Sequence, residues 1–424
     1  LELTNIEEME TTVGEIAKKL NTHYYEIDSK EEHMYIVGSV GRETAIKGVS
    51  DLDILFDLPE ETYNKFNNYE SNGQSALLQE VKEVLKEKYP RTKIRGDGQV
   101  VVIEFNKYIV ELVPGFKQSD NSFKYPNTNN GGSWKVTKPL EEIAESIGFN
   151  NSTFNNNFRN ICGMLREWKN YQGFIFGGLL IDTLVYDFMN ENTSYKYTGY
   201  YGYLDLLKDL FSYLKNKNPE QSYWYALGSN QKVYNSGKGV FVNEAEKAYD
   251  KIVDLDQSSE DANSILRELF GNKFPKPETE NKTFNELLNL YNAVNTEQFI
   301  EDYYPINIEY WVKIDCEVSQ EGFRPHNLRY MLFNKMLLKI GKQLKFFITE
   351  MDSKLKEPYE IIWKVKNEGE EAIKTNQIRG QLIKNKGNIL NERTSVRGNH
   401  YVECYIIKDG ICVAKDKIRV PIST

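Results

Sequence analysis

The sequence predicts an α+β protein with a mixed N-terminal part, a helical middle part and a β-rich C-terminal part. In the first two parts, apolar residues recur at three- and four-residue spacing, and short apolar runs near the N-terminus indicate strands. Beyond about residue 304, short alternating or apolar runs are separated by turn residues, which is typical of a β-sandwich. The predicted divisions are residues 1–150, 151–304 and 305–424.

The composition excludes several classes of protein. A chain of 424 residues can form two or three domains with substantial cores. Its net charge of −9 gives no overall basic field for nucleic acid or an anionic membrane, although a local basic groove is left open. The four cysteines lack C-x-x-C spacing, and the longest apolar stretch, residues 173–189, is too short to span a bilayer. We therefore expect a cytoplasmic protein with no membrane partner.

Two amphipathic helices are predicted in the N-terminal part. Residues 1 to about 30 carry apolar side chains at helical spacing, at Ile6, Met9, Val13, Ile16 and Leu20. Residues 76–89 repeat this pattern. Each helix therefore has one apolar face with which to cover a sheet.

A glycine-serine turn follows the first predicted strand, residues 35–37. Gly38 permits a sharp turn that any side chain would obstruct. Ser39 follows with a hydroxyl and backbone N–H groups at a predicted helix start, a geometry that suits phosphate oxygens. The turn is therefore a candidate phosphate-binding site.

Two aspartates lie in the next predicted strand, whose other residues are apolar. Asp51 and Asp53 are two residues apart, so alternation along a strand puts both carboxylates on one face. Two close carboxylates are costly unless a cation lies between them, and Mg²⁺ prefers such oxygen ligands. The pair therefore predicts a metal site. The alternative is a surface turn followed by a solvated acidic strand end.

A hairpin is predicted next, because residues 99–105 and 108–113 are apolar runs separated by two polar residues. Pro114 is expected to end the second strand, since proline has no N–H for the ladder.

One acidic residue lies inside the second strand of this hairpin. A buried, unpaired Glu111 between valine and leucine would be expensive. A metal held by Asp51 and Asp53 on a neighbouring strand would supply its partner. Glu104 is the weaker candidate for this third ligand, and the other explanation for Glu111 is a lysine partner at the sheet edge.

These residues together resemble the signature of the polymerase β-like nucleotidyltransferases, in particular of the cyclic-oligonucleotide synthases related to cyclic GMP-AMP synthase and its bacterial relatives. The pattern Gly-Ser-x-x-Arg-x-Thr is met by Gly38, Ser39, Arg42 and Thr44, and the Asp-x-Asp pattern by Asp51 and Asp53. The resemblance implies that Gly38, Ser39, Arg42 and Thr44 bind substrate. It also implies Mg²⁺ or Mn²⁺ on Asp51, Asp53 and Glu111, although the family most often has aspartate at the third position.

The middle part resembles the helical lobe shared by oligoadenylate synthases and poly(A) polymerases, on residues 165–169 and 177–182. In that lobe a basic residue before a tryptophan and a small polar pair commonly contact the triphosphate. Arg166 takes the basic position and Lys169 lies near it, whereas Gly177 and Gly178 stand where serine is usual. The resemblance therefore implies Arg166 and Lys169 as phosphate contacts, and the alternative for both is a solvated helix face.

The C-terminal part resembles the adenylyl/guanylyl and SMODS C-terminal sensor domain, on residues 363–372, 379–380 and 398–405. The resemblance implies a small, nucleotide-like ligand. Trp363, Arg379 and His400 offer a stacking surface, a phosphate fork and a polar edge. A structural core explains Trp363 equally well.

The combined resemblance implies an enzyme with a polymerase β-like core, a helical lobe and a sensor domain. Such an enzyme joins nucleoside triphosphates, ATP or others, into a cyclic di- or trinucleotide that activates a separate effector protein in antiphage defence. The alternatives are a linear oligonucleotide synthase, an RNA-directed nucleotidyltransferase and a catalytically quiet nucleotide sensor. The sequence shows no obvious basic track for a nucleic-acid strand.

Overall fold

The chain forms two compact units in a computed structural model. The first comprises residues 1–167 and 176–262, and the second comprises residues 168–175 and 263–424. The described residues are 6–46, 51–106, 108–199, 202–256, 261–271, 274, 297–322, 324–375 and 377–423. The division into three parts stays a prediction.

The first unit begins with a mixed α/β region. Its helices are α1 (Ile6–Tyr24), α2 (Gly38–Gly41), α3 (Glu60–Asn67), α4 (Gly73–Lys88) and α5 (Pro139–Asn151). Its strands are β1 (Met34–Ile36), β2 (Asp51–Asp57), β3 (Lys93–Asp97), β4 (Val100–Glu104), β5 (Ile109–Lys117), β6 (Phe123–Asn127) and β7 (Ser133–Thr137). The helix that was predicted over residues 1 to about 30 ends earlier than expected, at Tyr24.

The rest of the first unit is mainly helical. It contains α6 (Asn157–Gln172), α7 (Gly178–Glu191), α8 (Tyr203–Lys215), the hairpin of β8 (Tyr223–Tyr225) and β9 (Lys232–Tyr234), and α9 (Val240–Ile252). The last turn of α6, from Trp168 onward, is grouped with the second unit. One face of α6 forms an apolar stripe, on which Phe158, Ile161 and Leu165 are fully buried.

The sheet of the first unit has the order β1-β2-β5-β4-β3, with β6 paired to β5 and β7 to β6. Only β2 and β5 run parallel among these pairs. Leu52, Ile54 and Phe56 pack on α1 and α4 in one core cluster. Strand alternation therefore directs Asp51 and Asp53 to the opposite face of β2.

The predicted hairpin of β4 and β5 is confirmed, but the predicted strand end at Pro114 is wrong. β5 continues through Pro114 to Lys117. The pairing of β4 with β5 stops at Leu112. Because Pro114 lies beyond that ladder, its missing N–H costs no hydrogen bond to β4.

The second unit contains a β-sandwich. Its elements are α10 (Ala262–Phe270), β10 (Val312–Ser319), β11 (His326–Asn327), α11 (Leu328–Phe333), β12 (Gln343–Met351), β13 (Glu360–Lys366), α12 (Glu370–Lys374), β14 (Arg379–Ile383), β15 (Ile389–Arg393), β16 (Gly398–Lys408) and β17 (Ile411–Ile422). The two sheets have the orders β11-β10-β12-β15 and β14-β13-β16-β17. One core cluster takes side chains from both, so the predicted sandwich is confirmed.

Short 3₁₀ helices at Asn129–Gly131, Phe154–Asn156, Thr193–Tyr197 and Ile300–Asp302 complete the described elements. All four cysteines are buried and free. Among the described helices, none combines the length and apolar character that crossing a bilayer requires.

Candidate active site

The glycine turn after β1 lies directly against the carboxylate of Asp53. The Val37 N–H donates to the backbone oxygen of Asp53 at 2.9 Å, which ties the end of β1 to β2. Gly38 then adopts a left-handed backbone with φ +62°. A Cβ at this position would lie 1.8 Å from Asp53 Oδ2. Only glycine fits here, because both the backbone conformation and the neighbouring carboxylate exclude a side chain.

Three carboxylates lie on one face of two adjacent strands. The parallel pairing of β2 with β5 sets Asp53 beside Glu111, and Asp51 lies two residues earlier on the same face. Paired positions on adjacent strands are about 5 Å apart. All three residues are half-buried, whereas the residues that follow them, Leu52, Ile54 and Leu112, are buried. The sheet therefore brings together the three residues that the sequence analysis selected from separate strands.

The donor chemistry of this face suits a hard divalent cation. Carboxylate oxygens are the ligands that Mg²⁺ and Mn²⁺ prefer. The three side chains are not gathered into a formed ligand cluster, and no other acidic, histidine or cysteine side chains form one in the described part of the chain. Glu104 instead pairs with Lys93 on β3, with 2.8 Å between carboxylate and ammonium. The strand positions thus fit a metal at Asp51, Asp53 and Glu111.

The chain turns back immediately after the glycine turn. The backbone oxygen of Ser39, which is half-buried, accepts a hydrogen bond from the Thr44 N–H at 2.9 Å. The backbone oxygen of Arg42 accepts one from the Ser146 hydroxyl of α5 at 2.7 Å. These bonds hold residues 38–44 in one conformation beside the carboxylates.

A buried ion-pair network surrounds Asp182 on α7. Arg42 Nε and Thr44 Oγ1 each donate to Asp182 Oδ2 at 2.9 Å. Arg166 of α6 donates to both carboxylate oxygens, at 2.7 and 2.9 Å. The Asp182 side chain is 0% exposed and the two arginine side chains are 7% exposed. Three predicted substrate-binding residues, Arg42, Thr44 and Arg166, are therefore brought together, with their polar atoms directed to Asp182.

The ionised form of Asp182 is stabilised by its partners. Burial on its own raises the pKa of this carboxyl, because it disfavours the charge. The guanidinium groups of Arg166 and Arg42 lower the pKa by more, so it lies below its ordinary value. Two cations thus share one buried anion, and these ion pairs connect the glycine turn, α6 and α7.

Asp182 is the site residue that the sequence analysis missed. Its signal was present, since it is an acidic residue that directly follows the apolar stretch Gly177–Ile181 and precedes further apolar residues. Arg166 also donates to the backbone oxygen of Gly178 at 3.1 Å. This bond joins the two segments on which the resemblance to the helical lobe depends.

Lys169 is bound elsewhere, within the second unit. Its side chain is buried, and its Nζ donates to the backbone oxygen of Ile308 at 3.3 Å and to Asn307 Oδ1 at 3.4 Å. The adjacent Asn170 donates to the backbone oxygen of Ile306 at 3.0 Å. These contacts fix the end of α6 to residues 306–308.

A second candidate site lies in the sandwich of the second unit. A cavity of about 210 Å³ is lined by both Arg379 and His400. Arg379 has φ +58° and donates two hydrogen bonds to the carboxylate of Glu392, at 2.7 and 2.8 Å. The cavity also has apolar walls, among them Phe346 and Val402. The cavity therefore combines polar side chains with apolar walls.

The three residues singled out in the sensor-like region have different environments. Trp363 is fully buried in the sandwich core, and its Nε1 donates to the backbone oxygen of Gly387 at 2.9 Å. His400 Nδ1 accepts a hydrogen bond from the Glu368 N–H at 3.0 Å, so Nε2 carries the proton and donates to Val396 O at 2.7 Å. The structural explanation for Trp363 therefore holds, and Arg379 and His400 share the cavity without it.

Comparisons with known proteins agree with this architecture. Residues 1–150 match the Second Messenger Oligonucleotide or Dinucleotide Synthetase (SMODS) domain, and residues 294–423 match the Adenylyl/Guanylyl and SMODS C-terminal sensor domain. No curated protein matches the chain.

Among solved structures, CdnC from E. coli MS115-1 with ATP is 13% identical, with a TM-score of 0.50 over 64% of this chain and 92% of that chain. The CdnC:HORMA-deltaN complex from the same organism is 13% identical, with a TM-score of 0.50 over 65% and 94%. At this identity, the likeness shows a shared fold.

Proposed function

Because the chain is a nucleotidyltransferase that combines a SMODS domain with a C-terminal sensor domain, we propose that it joins nucleoside triphosphates into a cyclic di- or trinucleotide second messenger. The observation that carries this proposal is the pairing of β2 with β5. This pairing sets Asp53 beside Glu111. The carboxylate of Asp53 also lies against the turn at Gly38. Carboxylates next to a glycine-serine turn suit a metal-bound triphosphate.

Asp51, Asp53 and Glu111 are the residues that would hold Mg²⁺ or Mn²⁺. When bound, the ions lower the pKa of the attacking ribose hydroxyl and neutralise charge on the leaving pyrophosphate. Gly38 and Ser39 present backbone N–H groups and a hydroxyl to the phosphate oxygens. The position of Gly38 against Asp53, and of Asp53 beside Glu111, supports a single triphosphate site for these two sets of groups.

Arg42, Thr44 and Arg166 act on substrate through the position of the glycine turn. Their polar atoms bind Asp182 and hold residues 38–44 against α6 and α7. The predicted direct phosphate contact of Arg166 is therefore replaced by a positioning role in this proposal. Lys169, bound to Asn307 and Ile308, has a structural role in the second unit.

The second unit supplies a sensor for a small ligand. The cavity lined by Arg379 and His400 is its binding site, and the family description of residues 294–423 as a sensor domain supports this assignment. The nucleotide product acts on a separate effector protein, and antiphage defence is the setting that the resemblance implies.

A product analysis tests the proposed function. The purified chain is incubated with all four labelled nucleoside triphosphates and Mg²⁺ or Mn²⁺, beside a variant with Asp51→Ala and Asp53→Ala. Products are treated with phosphatase and identified by mass. A phosphatase-resistant product without free ends, absent from the variant, supports a cyclic-oligonucleotide synthase.

Other outcomes favour the alternatives. A ladder of phosphatase-sensitive products indicates a linear oligonucleotide synthase, and products that form only when RNA is added indicate an RNA-directed nucleotidyltransferase. The absence of product with every metal, with or without candidate ligands of the second unit, favours a nucleotide sensor.

A further inference from the structure

A segment of the second unit has a charge pattern that differs from the rest of the chain. Residues 322–349 contain six lysine or arginine residues and no aspartate or glutamate, in a chain whose net charge is −9. This segment includes α11 and the loop that leads from it into β12. A basic surface of this kind attracts an anionic partner despite the acidic chain around it.

The same segment exposes large apolar side chains. They are Tyr330, Phe333, Met336, Leu337 and Ile340, and Phe333 and Leu337 are 87% and 67% exposed. Five exposed large apolar side chains within eleven residues form a cluster, and clusters of this kind mark interaction sites. We call residues 330–342 the apolar-basic loop.

The loop is held in place by its other apolar residues. Leu328, Met331 and Leu338 are buried in the sandwich core. The backbone oxygen of Leu338 accepts a hydrogen bond from the Ser423 N–H at 2.8 Å, and the Gly341 N–H donates to Thr394 O at 2.9 Å. These buried side chains and backbone hydrogen bonds hold the apolar-basic loop in place. Its exposed apolar side chains therefore project from a backbone that is fixed by the sandwich.

Arg329, which precedes the apolar-basic loop, contacts two acidic residues. Arg329 pairs with Asp416 at 2.8 Å, and its backbone N–H donates to Asp315 at 3.1 Å. Lys335 and Lys339, in contrast, are exposed between Phe333 and Ile340. The outer surface of the loop therefore combines projecting apolar side chains with lysines.

We propose that the apolar-basic loop docks the protein on an anionic lipid surface. Phe333 and Leu337 would enter the boundary between headgroups and acyl chains, while Lys335 and Lys339 would bind lipid phosphates at the headgroup level. A nucleic acid has no apolar layer into which Phe333 and Leu337 could insert. Projecting apolar side chains beside lysines are the combination that peripheral lipid-binding surfaces use. Such docking needs no membrane-spanning helix.

Vesicle co-sedimentation of the full chain tests this proposal. The probes are vesicles of phosphatidylcholine alone and of phosphatidylcholine mixed with phosphatidylserine. We expect at least about tenfold stronger binding to the anionic vesicles, falling as salt is added. Replacing Phe333 and Leu337 with serine should remove at least about tenfold of that binding, because both side chains lose their apolar contact with lipid. Lys335→Gln with Lys339→Gln should remove most of the salt dependence.

The matched control is Tyr197→Ser in the first unit, since Tyr197 is 71% exposed outside the loop. It should leave vesicle binding unchanged, and circular dichroism should show that all variants are folded. Equal binding of wild type to both kinds of vesicle, or no binding, would overturn the proposal. So would concentration-dependent dimers that Phe333→Ser abolishes while vesicle binding is absent, because the loop would then be a protein interface.

Discussion

Arg166 donates to both oxygens of Asp182, across a buried contact between α6 and α7 of the first unit. The same carboxylate accepts hydrogen bonds from Arg42 and Thr44, which follow the glycine turn of the candidate active site. A single buried anion therefore links the helices to the turn that is proposed to bind the triphosphate. Buried charges are tolerated only when they are paired, so each partner is needed by the others.

The first prediction concerns this ion-pair network. Arg166→Met removes the two hydrogen bonds of Arg166 to Asp182 and leaves Arg42 as its charged partner, so we expect the free energy of unfolding to fall by about 1.5–3 kcal/mol. Urea denaturation followed by circular dichroism measures the change. The matched control is Arg159→Met on the same helix, because the ion pair of Arg159 with Glu43 is partly exposed and should contribute less than about 1 kcal/mol. Equal losses in the two variants would contradict the importance of burial.

The second prediction concerns the pH dependence of the same network. The pKa of Asp182 is below its ordinary value in the folded protein, since Arg166 and Arg42 more than offset the effect of burial. A group of this kind stabilises the fold above its unfolded pKa of about 3.9 and loses that effect as pH falls through its folded pKa. We expect the stability difference between wild type and Asp182→Asn to shrink below about pH 4.

Urea denaturation of both proteins over a series of pH values measures this difference. Glu43→Gln is the matched control, because Glu43 makes a partly exposed pair and its effect should be small throughout. A difference that widens on acidification would show that Asp182 is protonated in the folded protein at neutral pH.

The third prediction concerns the glycine turn. Gly38→Ala places a Cβ 1.8 Å from Asp53 Oδ2, so the carboxylate or the turn must move. Because a displacement of about 1 Å can cost a hundredfold in rate, we expect nucleotide transfer to fall by at least about that factor. Single-turnover product formation with saturating metal measures it.

Gly131→Ala separates the clash from the backbone strain. Gly131 has φ +89°, but a Cβ there would have no neighbour within 4 Å. The substitution should cost about 1–2 kcal/mol of stability and leave the rate nearly unchanged. A similar loss of rate in both variants would mean that strain, and not contact with Asp53, explains the effect at Gly38.

The fourth prediction separates the two glutamates of the β4–β5 hairpin. Glu111→Gln removes one carboxylate from the face shared with Asp53, and we expect at least about a hundredfold loss of metal-dependent activity. Glu104→Gln weakens partly exposed ion pairs with Lys93 and Arg95 and removes no carboxylate from that face, so its activity should stay within a few-fold of wild type. Activity at several Mg²⁺ and Mn²⁺ concentrations gives the metal requirement of each variant. The assignment of the third ligand would be wrong if Glu104→Gln proved the more damaging change.

Local patterns were sufficient for much of the fold and for the carboxylate face. Alternation in β2 places Asp51 and Asp53 on one side, and this depends only on strand geometry. The hairpin and the sandwich strands were likewise visible as apolar runs between turn residues. The predicted strand end at Pro114 was wrong, because a proline interrupts a strand only where a neighbouring strand needs its N–H, and β4 no longer pairs with β5 at that position.

The sequence by itself determined the glycine turn and the pair of Asp51 and Asp53, because each follows from spacing within a few residues, whereas the pairing of β2 with β5 brings Glu111 beside Asp53. Only the tertiary structure decided what Arg166 does. Its place beside the apolar stripe of α6 is compatible with solvent, with phosphate or with a buried partner, and α7 supplies that partner in Asp182. Arg42 reaches the same carboxylate across 140 residues of chain. Residue spacing carries no information about such a contact, because it arises only when separate elements pack and must neutralise a buried charge.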